Sequence, residues 1–174
     1  MNPRVKEIFL IRTQAIQKIR DFFTQRDFIE VETPMLHPIP GGATAKPFKT
    51  HHNALDMELY MRVAPELFLK RLVIGGLERI FEINRCFRNE GISTQHNPEF
   101  TMLEFYQSYA TYEEMMKLTE ELLCLMVKDI HGGLRLTYQG KEIDFTPPWG
   151  RIFYKESLLE YGKVDPVIMK EPSR

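Results

Sequence analysis

With 174 residues, 43% of them hydrophobic and 27% charged, the chain has the balance of an ordinary globular domain and the length to bury a core. A formal net charge of −1 gives no overall electrostatic footprint for nucleic acid, so any RNA contact has to come from a local patch or from sequence outside this chain. No apolar run approaches the roughly 20 residues of a membrane span, the amino terminus has no signal-like stretch, and Cys86 and Cys124 form no C-x-x-C pair; the expectation is a soluble, cytoplasmic protein with reduced thiols and neither a disulfide framework nor a zinc site.

Along residues 5–26 the apolar Ile8, Ile11, Ala15, Ile16, Ile19, Phe22 and Phe23 recur at helical spacing opposite Lys18, Arg20 and Gln25, which predicts a long amphipathic helix. Residues 28–33 read as a strand stopped by Pro34, whose missing N–H cannot continue a ladder. The stretch His37-Pro38-Ile39-Pro40-Gly41-Gly42 reads as a loop. Short strands are expected at 46–50 and 58–63 around a turn at 51–56, with His51 and His52 as turn residues rather than metal ligands. Pro65 suits the first turn of a helix running to Ile74, which Gly75-Gly76 ends.

Residues 79–88 and 100–109 look like two strands joined by a polar loop at 89–97. Thr111-Tyr112-Glu113-Glu114 has the form of a capping box ahead of a helix carrying Met115, Leu118, Leu122, Leu125 and Met126. Residues 134–138 and 141–145 flank Gln139-Gly140 as a further hairpin, and a short helix is expected around 157–161. Without repeats or a linker, the pattern predicts a single α+β domain in which helices flank an antiparallel β-sheet.

The chemistry is concentrated in Arg88-Asn89-Glu90-Gly91 and in His96-Asn97-Pro98-Glu99-Phe100 running on to Tyr106. A period of two puts Phe100, Met102, Glu104 and Tyr106 on one strand face, and antiparallel pairing would bring Arg88 and Glu90 beside Phe100. A guanidinium pairs bidentately with phosphate, an aromatic face stacks under a base, a loop histidine reaches phosphate oxygens, and a carboxylate with a phenol suits an ammonium group. By period and residue type alone, a surface ion pair of Arg88 with Glu90, a core Phe100, a solvated Glu104 and a hydrogen-bonding loop His96 are the favoured reading, because charged strand faces and aromatic core residues are common.

Residues 81–90 followed by His96-Asn97-Pro98-Glu99-Phe100-Thr101-Met102-Leu103-Glu104 resemble the second signature motif of the class II aminoacyl-tRNA synthetases, in the form used by the lysine-specific branch. Residues 26–36, with Pro34, resemble the first motif, which in that family forms part of a homodimer interface. Ile39-Pro40-Gly41-Gly42-Ala43, residues 50–56 and residues 64–72 are also similar to the lysine branch. The resemblance implies lysine, ATP with Mg2+, and tRNA-Lys as substrates and cofactors, no membrane association, and pairing of two copies between Val5 and Pro34. It implies Arg88 at the ATP α-phosphate and the substrate carboxylate, Glu90, His96 and Asn97 at other parts of ATP, and Phe100 under adenine. Glu66 and the Gly42 backbone would then receive the α-ammonium group of lysine, while Glu104 and Tyr106 would read its side-chain ammonium.

Nothing resembling an anticodon domain precedes the first helix, and nothing after Phe145 resembles the third class II motif. The expectation is therefore a partial catalytic domain over residues 1–174, weakly active or inactive by itself, with no metal ligand in it. Two alternatives stand beside this reading: a ligase that attaches lysine to elongation factor P, and a noncatalytic synthetase-like module that dimerises or binds a regulator.

Overall fold

A computed structural model describes residues 2–166. The chain divides into two compact units, the first ending at Leu122 and the second beginning at Leu123. In the first, α1 (Pro3–Thr24) starts with proline in its first turn, where the missing N–H costs nothing, and the Asn2 side chain accepts from the Arg4 N–H at 3.0 Å. Next come β1 (Ile29–Glu30), β2 (Leu36–His37), β3 (Lys49–His52), β4 (Met57–Met61), α2 (Glu66–Ile74), β5 (Arg79–Phe87) and β6 (Glu99–Gln107). The helix α3 (Tyr112–His131) crosses the boundary, and its capping box is half made by Glu114, which accepts from the Thr111 N–H at 2.6 Å. The second unit holds the hairpin β7 (Arg135–Tyr138) and β8 (Lys141–Asp144), whose turn residues Gln139 and Gly140 both have positive φ, and the short helix α4 (Tyr154–Glu160). No helix among the described residues is long and apolar enough to cross a membrane.

The sheet that carries the predicted chemistry has the order β1-β5-β6. β5 and β6 pair antiparallel over nine residues each, while β1 joins parallel at Ile80 and Phe81, which adds a parallel edge to the expected antiparallel sheet. The predicted strand 28–33 shortens to Ile29–Glu30, because beyond Val31 the backbone and side chain of Thr33 turn to Glu82. A second sheet has the order β2-β4-β3. In it Leu36 and His37 form a strand, where a loop is expected from residue 37 on. His51 and His52 lie in β3 opposite Glu58 and Met57, not in a turn. The turn is compressed into residues 53–56 by Asp56, an aspartate that tolerates its φ of 46°.

Period two divides the β5-β6 pair. One face turns to α1, where Phe23 stacks on Phe81 at 5.0 Å between centroids and meets Phe105 at 4.9 Å and Phe28 at 5.0 Å. This aromatic core fixes the register, because a slip of one residue would exchange Phe81 and Phe105 for Glu82 and Glu104. The opposite face presents Glu82, Asn84 and Cys86 on β5, and Phe100, Met102, Glu104 and Tyr106 on β6.

Candidate active site

Two cavities open on that second face. In the first, Arg88 directly follows β5, and its N–H donates to the Pro98 carbonyl at 2.9 Å, which extends the ladder past Phe87. Because Cys86 pairs with Phe100, Arg88 points to the same side two residues further on, and its guanidinium carbon stands 5.2 Å from the Phe100 ring centroid. The Arg88 Nε is buried and meets no hydrogen-bond partner among the described residues, an unmet donor aimed at no protein group. Glu90 is exposed and accepts from the Lys46 N–H at 3.1 Å, and the Asn89 N–H donates to the Lys46 carbonyl at 2.7 Å, so the start of the loop is tied down. His96 closes it, with Nδ1 2.8 Å from the Ser93 hydroxyl and two main-chain bonds between residues 93 and 96. Arg88, Glu90, His96, Asn97 and Phe100 line one cavity of about 280 Å³.

The second cavity, of about 310 Å³, is lined by Glu66, Leu103, Glu104, Phe105 and Tyr106. The Tyr106 hydroxyl donates to Glu104 at 3.1 Å. Burial pushes the Glu104 carboxyl above its usual range; the bond from Tyr106 opposes that, Glu66 and Glu82 add to it, and Arg62 opposes it. The Tyr106 phenol is pushed up by burial and then by the Glu104 carboxylate beside it. Glu66 opens α2 and pairs with Lys70 at 2.6 Å one turn on. Gly42 sits against it: φ is +90°, and a Cβ there would stand 3.1 Å from the Cβ of Glu66 and 3.3 Å from that of Ala64, so both conformation and space call for glycine. The structure thus brings Arg88, Glu90, His96, Asn97 and Phe100 around one cavity and Glu66, Glu104 and Tyr106 around the other, while Gly42 lies against Glu66 without lining either.

A buried polar cluster that includes Glu82 and Asn84 of this face has no counterpart in the sequence reading. The Arg62 side chain, fully enclosed, donates through Nη1 to Glu82 at 2.6 Å and to the Thr33 hydroxyl at 3.1 Å, and through Nε to the Arg85 carbonyl at 2.7 Å. The Thr33 hydroxyl donates to Glu82 at 2.7 Å, and the Asn84 amide donates to it at 3.3 Å. The available signal was slight, a lone arginine between the apolar Met61 and Val63.

A cation over an aromatic plate and, further along the same strand face, a carboxylate bonded to a phenol have the chemistry to take a nucleotide and an ammonium ligand. Residues 1–170 match the family model described as tRNA synthetases class II (D, K and N), and the chain belongs to that family. Among curated relatives it is 55% identical over 170 residues to a lysine–tRNA ligase of Syntrophomonas wolfei subsp. wolfei, an alignment covering 98% of this chain and 34% of that protein. It is 58% identical over 166 residues to that of Magnetococcus marinus (95% of this chain, 33% of the relative) and 56% over 172 residues to that of Carboxydothermus hydrogenoformans (99% and 35%). The chain spans about a third of the length of the curated relatives it matches.

Proposed function

We propose that this chain supplies the lysine and ATP sites of a lysine–tRNA ligase, which joins lysine to ATP as lysyl-adenylate with release of pyrophosphate and then transfers it to the 3′ end of tRNA-Lys. The observation that carries the reading is the alignment of Phe100, Glu104 and Tyr106 on one face of β6, with a guanidinium over Phe100 in one cavity and Glu104 bonded to Tyr106 in another. Relatives named lysine–tRNA ligase at 55–58% identity support it.

In this reading Phe100 stacks on adenine and Arg88 beside it meets the α-phosphate of ATP, with its unmet Nε available to a phosphate or carboxylate oxygen. Glu90, His96 and Asn97 close the nucleotide cavity; magnesium, brought in with ATP, would offset charge on its phosphates. The Gly42 backbone and Glu66 take the α-ammonium group, while Glu104 and Tyr106 take the side-chain ammonium. No protein nucleophile is required. The lysine carboxylate oxygen bonds to the α-phosphorus as the bond to pyrophosphate breaks, and the residues orient the two reactants and offset the charge that develops. A homodimer between Val5 and Pro34 is part of the proposal, supported by the exposure of Val5, Ile8, Phe9, Leu10 and Ile11 on α1. Lysine-dependent exchange of pyrophosphate into ATP by the full-length protein tests the activity; exchange that ignores lysine would refute it.

A further inference from the structure

β5 has a partner strand along only part of its outer edge. β1 covers it at Ile80 and Phe81 and then leaves. At residues 85–87 Arg62 takes the place of a strand: its Nε donates to the Arg85 carbonyl at 2.7 Å and its own carbonyl accepts from the Phe87 N–H at 2.9 Å. Buried backbone groups need such partners. The Arg62 N–H in turn donates to the Met35 carbonyl at 2.8 Å, and its guanidinium is pinned by Glu82 at 2.6 Å and by Thr33 at 3.1 Å. With its side chain fully enclosed, Arg62 lines neither cavity. The residue that follows the strand end it holds is Arg88.

We infer that Arg62 is a positioning residue for Arg88: pinned by Glu82 and Thr33, it holds the Arg85 carbonyl and thereby aims the strand end that presents Arg88 to the reacting phosphate. The inference rests on the reading of Arg88 given under the proposed function. Misplacing a group of this kind by about 1 Å costs on the order of a hundredfold in rate, so a change confined to the Arg85 bond should be visible in turnover while binding persists.

Arg62→Lys in the full-length protein isolates that bond. A lysine ammonium reaches Glu82, but a methylene stands where Nε donates to Arg85. Glu82→Gln is the converse change: it removes the ion pair and leaves the Nε bond in place. For lysine-dependent ATP–pyrophosphate exchange, Arg62→Lys should lower kcat at least about tenfold and hold both KM values within about threefold. Glu82→Gln should keep kcat within about threefold of the parent despite a lower melting midpoint. Should Arg62→Lys fail to fold, the double change Arg62→Gln with Glu82→Gln leaves no buried unpaired charge, and the Thr33 hydroxyl can turn from donor to acceptor; the same fall in kcat is expected. Parent-like kcat in Arg62→Lys or in the double variant, or kcat that merely follows melting midpoint across the set, overturns the inference. Arg88→Ala measured alongside separates the failures: if it abolishes exchange while Arg62→Lys does not alter kcat, only the positioning role falls, and if Arg88→Ala exchanges normally, the reading of Arg88 falls and this one with it.

Discussion

Glu104 and Glu82 are direct cross-strand partners on β6 and β5, and each is bonded to a different kind of donor: Glu82 to the Arg62 guanidinium at 2.6 Å, Glu104 to the Tyr106 phenol at 3.1 Å. With Arg62 held on Glu82, the second carboxylate faces the cavity with acceptor capacity to spare. A hydrogen bond to a charged group contributes about 1.5 to 3 kcal/mol. Glu104→Gln in the full-length protein should therefore raise the KM for lysine by roughly ten- to a hundredfold while leaving the KM for ATP nearly unchanged. Steady-state exchange kinetics with each substrate varied in turn read both constants.

The same carboxyl sets a pH dependence. Its pKa lies above 4.5, raised foremost by burial, with Glu66 of α2 and Glu82 of β5 adding to the rise and Tyr106 and Arg62 opposing it; Cys86 of β5, on the same face, is itself pushed up by burial. An ammonium ligand binds the ionised form, and the lysine amine stays charged to about pH 10. Lysine affinity should thus increase as pH rises from 4.5 through the raised pKa, and Glu104→Gln should remove that slope. Folding has the opposite sign: the folded chain holds the Glu104 proton more tightly than the unfolded chain, so its unfavourable contribution is absent below 4.5 and complete above the raised pKa. Calorimetric titration of lysine across pH checks the binding slope.

Arg88 is tied to the fold mainly by its backbone, through the 2.9 Å bond to Pro98, while its Nε meets no partner among the described residues. Arg88→Ala should accordingly lower the exchange rate about a hundredfold, equivalent to about 3 kcal/mol of transition-state stabilisation, with stability changed by no more than roughly 1 kcal/mol. Melting midpoint and exchange rate taken on one sample distinguish this from a structural ion-pair role.

The strand pair β5-β6, the helices and the shared face of Phe100, Glu104 and Tyr106 were legible because each rests on local period and punctuation. Arg88 over Phe100 was legible for the same reason, since a hairpin brings residues close in sequence together. What escaped depends on contacts between distant segments. Thr33 and Glu82 are 49 residues apart, Arg62 and Glu82 are 20 apart, and neither separation leaves a periodic trace. The parallel docking of β1 on β5 is of the same kind. Asn53 and Asp56 give residues 51–56 the look of a turn, whereas cross-strand pairing with β4 carries His51 and His52 into the ladder.

On α1, Phe9 is 67% exposed and Leu10 54%, with Val5, Ile8 and Ile11 exposed beside them, whereas Phe22 and Phe23 at the other end of the helix are buried. If this stretch joins two copies, Phe9→Glu with Leu10→Glu should shift the full-length protein from dimer to monomer, because a buried unpaired carboxylate at an interface is strongly disfavoured. Sedimentation velocity over a concentration series reads the change.

The specificity of the Glu104–Tyr106 pocket is tested most directly by comparing lysine with norleucine in ATP–pyrophosphate exchange. Norleucine matches the carbon chain of lysine but brings no ammonium, so Glu104 keeps only its bond from Tyr106 and its remaining acceptor capacity goes unmet; a pocket built for a polar group rejects an analogue lacking it by far more than a methylene's worth. The kcat/KM for lysine should stand at least about a hundredfold above that for norleucine, with most of the preference lost in Glu104→Gln. Comparable kcat/KM for the two amino acids, or an undiminished preference in Glu104→Gln, would contradict that specificity.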